Sequence, residues 1–257
     1  MTTRSVLRLA RTLVATALVA GLTTAAAPDA QARLQHMGAG DTPTVSVTLA
    51  DVQASNAKAA MAYGALVPMW RAHFADVGAR FVAPQVARFR GAGVRTPCGA
   101  VAANNAAYCP RDNRIYFDEI FLAAQAKRAA LQLGTDGDMA TVGVIAHEMG
   151  HAVAIQLGHM SRYTYQNERT ADCLAGAFAR QADADGQLEP GDIDEAFFGM
   201  AAAGDPTPEL TGDRRADRAI LVRAALMGHG TEAQRTANFR AGLEGGPGAC
   251  LEEFQGA

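Results

Sequence analysis

The sequence predicts an α+β fold, rich in helices, with one small β-hairpin or sheet region. Three observations carry that prediction. Apolar Leu66, Trp70, Phe74 and Val77 fall on one face at helical spacing. Between Phe81 and Phe117 the pattern shortens to β-prone runs cut by Pro84, Gly91, Gly93, Pro97 and Pro110. The C-terminal third carries repeated helix-start signals. A chain of 257 residues suffices for one domain, or one domain with a helical extension.

The elements follow in order. Arg4, Arg8 and Arg11 precede an apolar run from Thr12 to Leu22 and then small residues ending Ala30-Gln31-Ala32, the pattern of an export signal cleaved after Ala32. Its apolar run is far short of the roughly 20 residues a membrane span needs, and no later run is long enough, so no stable span is expected after cleavage. The first cysteine is Cys98, too late for a lipid anchor. Residues 33–54 are mixed and polar and read as a poorly ordered leader, with the folded domain over residues 55–257.

A helix is expected over residues 56–77, with His73 beside its apolar stripe in a structural role. Residues 107–109 and 114–117, separated by Pro110-Arg111-Asp112-Asn113, look like a hairpin. Helices follow from Asp118 to about Gly134, from Met139 to about Leu157 with Asp138 as cap, and over about residues 166–184. Asp192 with Glu195, and Thr231 with Gln234, have capping-box spacing, and Asp205-Pro206-Thr207-Pro208 marks a loop between them.

The balance of 23 basic and 26 acidic side chains gives a net charge of -3. Removing Arg4, Arg8, Arg11 and Asp29 with the signal leaves 20 and 25, a net charge of -5, which argues against nucleic acid as a partner. Four cysteines in an exported chain point to disulfides. Cys98 and Cys109 flank a short Gly/Ala/Asn-rich stretch that can close a small loop, leaving Cys173 for Cys250. No CxxC is present to suggest a cysteine metal site.

The chemistry sits in Val144-Ile145-Ala146-His147-Glu148-Met149-Gly150-His151, an HExxH motif whose four-residue interval puts both imidazoles on one face of a helix. Two nitrogens can then hold one ion. Glu148 points about 100 degrees around the helix from His147, where it can reach a water held by the ion and act as general base. Gly150 costs about 1 kcal/mol relative to Ala inside a helix, which suggests close approach by another element. A three-histidine site is excluded, because Leu157 and Ala154 stand where its histidine and glycine would fall, and His159 comes two residues late.

Asn167-Glu168-Arg169-Thr170-Ala171-Asp172 on the next helix resembles the thermolysin-like glutamate zincins. That resemblance implies a zincin-like domain in which Glu168 is the third zinc ligand and Asp172 accepts a hydrogen bond from a ligand imidazole. A longer resemblance rests on Trp70, Ala83-Pro84, Phe89, Cys98-Gly99, Tyr108-Cys109-Pro110, Ile115 to Asp118, VIAHEMGH, ERTADCLAG, LEPGDI and His229 to Arg235, in that order. Over about residues 66–250 the chain is similar to the bacterial family of neutral zinc metallopeptidases. Many of those proteins carry an N-terminal membrane anchor, whereas this sequence reads as having a cleavable signal, so a periplasmic or secreted location is expected.

The resemblance implies Zn2+ as cofactor and a peptide or protein as substrate. Zinc-activated water would attack the carbonyl, with Glu148 moving the proton. His229 and Arg235 are the candidates to stabilise the oxyanion, with Tyr163 and Tyr165 weaker ones. The strand at residues 114–117 is the expected edge for pairing with a substrate peptide. Two alternatives share the site: a catalytically silent, zinc-stabilised binding domain of the cell envelope, and a zinc amidase acting on cell-wall peptides. Glu148 argues against the silent domain, which needs no base beside the metal.

Overall fold

The computed structural model describes residues 45–251. The expected signal, residues 33–44 of the expected leader and residues 252–257 lie outside the described residues. The first helix, α1, spans Leu49–Asp76, so it begins seven residues before the expected start and takes in residues 49–54 of the supposed leader. The reason is local. Thr48 accepts a hydrogen bond from the Asp51 amide, and the Asp51 carboxylate accepts one from the Thr48 amide at 2.7 Å, a closed capping box. The buried face of α1 runs through Ala59, Ala62, Leu66, Trp70 and Phe74, but Val77, expected on it, ends the helix and is 67% exposed.

Five short strands follow: β1 (Gln85–Phe89), β2 (Val94–Thr96), β3 (Gly99–Val101), β4 (Ala106–Cys109) and β5 (Arg114–Asp118). β4 and β5 form the expected antiparallel hairpin, and β1 adds in parallel to the far side of β5, in the order β1-β5-β4. β5 is therefore a central strand, and the expectation that residues 114–117 offer an edge is wrong. The edges of this sheet are β1 and β4, and of the two it is β4 that lines the cleft. Composition marked both runs as strands but carried nothing about which side each would pair.

Asp118 is fully buried and caps α2 (Glu119–Leu133) by accepting from the Ile120 amide, while also accepting from the amides of Asn104 and Gly91. One carboxylate thus ties the sheet's loops to the start of α2. α3 spans Asp138–Gln156, and its cap is Gly137, not Asp138, which lies in the first turn and pairs with Lys58. The open amides of Gly137 and Met139 donate to the Glu195 carboxylate at 2.9 and 2.8 Å, from α5 (Asp192–Ala202). A negative charge there complements the positive end of the helix dipole. The Asp192/Glu195 box is accordingly not formed, because Glu195 serves another helix. Gly137 is required as well, since a Cβ there would stand 1.9 Å from the carbonyl oxygen of Ala126.

α4 (Thr164–Ala184) starts two residues earlier than expected. α6 (Arg214–Met227) is capped by Asp213, and α7 (Glu232–Leu251) by the expected Thr231/Gln234 pair, with a kink at Gly246. α4 and α7 meet backbone to backbone: a Cβ on Gly242 would stand 1.7 Å from the Cys173 carbonyl oxygen, and one on Gly176 would stand 1.9 Å from that of Phe239. Both expected disulfides form, Cys98–Cys109 tying β4 to the β2–β3 region and Cys173–Cys250 closing the α4–α7 pair. The fully buried Leu66, Trp70, Ile115, Ile145, Met149, Leu174, Phe198 and Phe239 draw the helices and sheet into one core. Among the described residues no helix is long and apolar enough to cross a membrane.

Candidate metal centre

Helix α3 delivers His147 and His151 one turn apart, as their spacing requires. What brings a third group to them is Gly150. A Cβ at this position would lie 2.8 Å from the Ala171 carbonyl oxygen, so α4 can cross α3 closely only because residue 150 has no side chain. Glu168 and Asp172 lie on adjacent turns of α4 and straddle that crossing.

The result is a triangle of ligand atoms. His147 Nε2 stands 3.1 Å from His151 Nε2 and 3.2 Å from Glu168 Oε2, and His151 Nε2 stands 3.4 Å from Glu168 Oε1. Nitrogen and oxygen ligands about 2.0–2.1 Å from a tetrahedral zinc ion stand about 3.3–3.4 Å from one another, so the donor set fits that ion in size and in chemistry. Two histidines and one carboxylate are also the complement of a catalytic zinc site, which keeps its fourth position open.

Behind the ligands stands a buried brace. His147 Nδ1 donates to Asp172 Oδ1 at 2.8 Å, which turns its Nε2 toward the other two ligands. Asp172 is fully buried and in turn accepts from Arg235 through both oxygens, at 2.6 and 3.2 Å. Burial works against a charge on Asp172, but the Arg235 guanidinium and His147 overcome it and hold the carboxyl below its usual range. The same balance holds elsewhere in the network. Burial opposes the charge on Glu168, which the two imidazoles nevertheless keep far below the ordinary carboxylate range, and burial opposes the charge on His147, which Asp172 and Glu168 push up to about 10.

Glu148 lines the cleft in front of this cluster and is nearly buried. The cleft has a volume of about 380 Å³. One wall is β4 with Asn105, the floor is α3, and the far side is formed by Met200 and Ala203 of the α5 end together with His229.

A family model described as "Putative neutral zinc metallopeptidase" matches residues 5–254. The chain belongs to this family. Zinc is the cofactor that membership implies. Among relatives of the chain, "Uncharacterized protein YpfJ" of Escherichia coli (strain K12) is 32% identical over 201 residues, which cover 72% of this chain and 66% of that protein. "Uncharacterized protein Rv2575" of Mycobacterium tuberculosis (strain ATCC 25618 / H37Rv) is 31% identical over 199 residues, covering 69% of this chain and 64% of that one. The chain thus spans just under two thirds of the length of these relatives. No solved structure gives a significant match.

In this chain the two residues expected to stabilise an oxyanion stand in different surroundings. Arg235 is buried, with its donors engaged by Asp172 and by the Ala203 carbonyl oxygen at 3.1 Å. His229 lines the cleft, is 56% exposed at its side chain, and has its Nδ1 3.7 Å from Asp205 Oδ1. Asp205 also accepts from the His229 amide at 2.6 Å and donates its own amide to the Gly230 carbonyl oxygen at 2.8 Å. Asp205 was legible only as part of a Pro-rich loop, and nothing in that pattern marks a partner 24 residues away. Tyr163 faces Arg162, and Tyr165 packs against Gly230, so neither lines the cleft. His159 and Asn167 do line it and were not singled out as site residues. His73 stacks against Trp70 on α1, apart from the cleft.

Proposed function

We propose that the protein is an exported zinc-dependent peptidase that hydrolyses peptide bonds with Glu148 as general base. The observation that carries this reading is the tetrahedral spacing of the His147, His151 and Glu168 donor atoms, with Glu148 facing the same cleft from the adjacent position of α3. A zinc ion on those three ligands supplies Lewis acidity and an activated water. Glu148 would take a proton from the attacking water and pass it to the departing amine.

His229, oriented through Asp205, donates a hydrogen bond to the carbonyl oxygen as negative charge develops there. Arg235 acts through Asp172, fixing the tautomer and direction of His147. The substrate backbone pairs with β4. Because the Asp118 amide donates to the Asn105 carbonyl oxygen, the ladder turns the backbone groups of Asn105 and Ala107 toward β5 and those of Ala106 and Tyr108 toward the cleft side. Two disulfides fit an oxidising compartment outside the cytosol, periplasmic or beyond the cell.

The test compares zinc content and turnover of a mixed peptide library for the wild type, Glu148→Gln and Glu168→Ala. Glu148→Gln is expected to keep zinc and lose roughly 10²–10⁴-fold in rate. Equal turnover by wild type and Glu148→Gln would sink the mechanism. Zinc retention unaffected by Glu168→Ala would refute the third ligand.

A further inference from the structure

Among the described helices, α6 alone buries no residue. Its carboxylates are occupied locally: Asp213 caps the amides of Arg215 and Ala216, and Asp217 accepts from the amides of Thr211 and Gly212 and the Thr211 hydroxyl. Arg214, Arg215, Arg218 and Arg223 form no ion pair among the described residues. With four arginines against Asp213 and Asp217, residues 213–227 are net positive on a chain whose net charge is -3.

Its apolar residues are as unusual. Leu221, Val222, Leu226 and Met227 are 51%, 47%, 40% and 68% exposed, four large apolar side chains within the last two turns. Scattered exposed leucines need no explanation, but a cluster of this kind marks a surface that another body covers. The arginines gather in the first two turns and the large apolar side chains in the last two, with Arg223 long enough to reach back to a polar layer while its stem lies on an apolar one. Such a helix suits a tilted position at a lipid interface, with its basic end among anionic headgroups and its C-terminal end at the acyl boundary.

We infer that α6 docks the protein on an anionic lipid surface through Arg214, Arg215 and Arg218 and the exposed Leu221, Val222, Leu226 and Met227. A second copy of the chain suits the helix less well, since pairing of the apolar turns with one another leaves the basic first turns without a counter-charge, which an anionic surface supplies. The docked helix also has a defined relation to the cleft. Its Leu226 carbonyl oxygen accepts from the Thr164 hydroxyl at 2.7 Å, and the chain leaves Met227 directly for His229. Met160, 60% exposed, lines the cleft just ahead of Thr164. Docking therefore holds the His229 side of the cleft next to the lipid, where polypeptide segments at a membrane surface would meet it.

The experiment is co-sedimentation of the full chain with vesicles of phosphatidylcholine containing phosphatidylglycerol, and with phosphatidylcholine vesicles alone, over a range of salt. The wild type should bind the anionic vesicles, release with salt and ignore the neutral ones. Each arginine near an anionic surface is worth roughly fivefold in partitioning, so Arg214→Gln/Arg215→Gln/Arg218→Gln should weaken binding on the order of a hundredfold. Leu221→Asp/Val222→Asp should abolish it. All five positions are exposed, and unchanged thermal unfolding checks that the variants fold. The inference is overturned if the wild type fails to bind anionic vesicles, if it binds neutral ones equally, or if the variants bind as the wild type does. It is also overturned if α6 variants abolish a dimer of a protein that binds no vesicle, since the face then belongs to a second copy. Vesicle binding is read without hydrolysis, so it stands or falls apart from the peptidase reading.

Discussion

Helices α6 and α7 are neighbours in sequence, yet they are held in opposite ways. α7 lies against α4 with glycine at both close contacts, is tied to it by Cys173–Cys250, and sends Arg235 into the ligand brace. α6 buries nothing. His229 hangs on the link between them, at the join of a fixed element and a surface one. The contrast shows that the two halves of the proposed reaction are built to different tolerances. The metal side is overdetermined by buried charge, whereas the side that meets the developing oxyanion rests on one exposed imidazole and one carboxylate.

The contrast can be broken from the metal side first. Asp172→Asn removes the charge facing Arg235 and is expected to destabilise the fold by about 3–5 kcal/mol, as when one partner of a buried ion pair is lost. Thermal unfolding reads that loss, and a zinc titration should show roughly 10–100-fold weaker binding. His229→Ala should cost about 10²–10³ in turnover while leaving zinc content and unfolding temperature unchanged. A matching loss of zinc would place His229 in the brace and erase the distinction. Gly176→Ala forces α4 from α7 and should cost about 1–3 kcal/mol by chemical denaturation, as overpacking does. The smallest effect belongs to α6: Leu221→Ala should shift stability by under about 0.5 kcal/mol. A larger shift would mean that α6 carries more of the fold than its exposure indicates.

That His147, His151 and Glu168 would come together was readable in the sequence because the signals are short in range. His147 and His151 are one turn apart, Glu168 and Asp172 are one turn apart, and Gly150 announces the crossing that joins the pairs. What escaped was decided across space. The Asp192/Glu195 spacing is a correct capping pattern, but the Glu195 carboxylate finds the start of α3 instead. Residues 114–117 have a strand's composition, yet only the position of β1 makes them central. Thr48 and Asp51 have capping-box spacing, but they lie in the mixed, polar stretch that reads as leader. Arg235 and His229 could be nominated together but not told apart, because the difference lies in whether each one's donors are already engaged.

One bond of Arg235 has a further consequence. The guanidinium that fixes Asp172 also holds the Ala203 carbonyl oxygen, and Ala203 forms part of the cleft wall that a substrate of the proposed peptidase would pass. In the proposed peptidase, selectivity and metal retention would therefore be geared to one side chain. Reshaping that wall to admit a bulkier substrate moves the same hinge-pin that aims His147, so variants chosen for a new cleavage preference should surface as variants with altered zinc release.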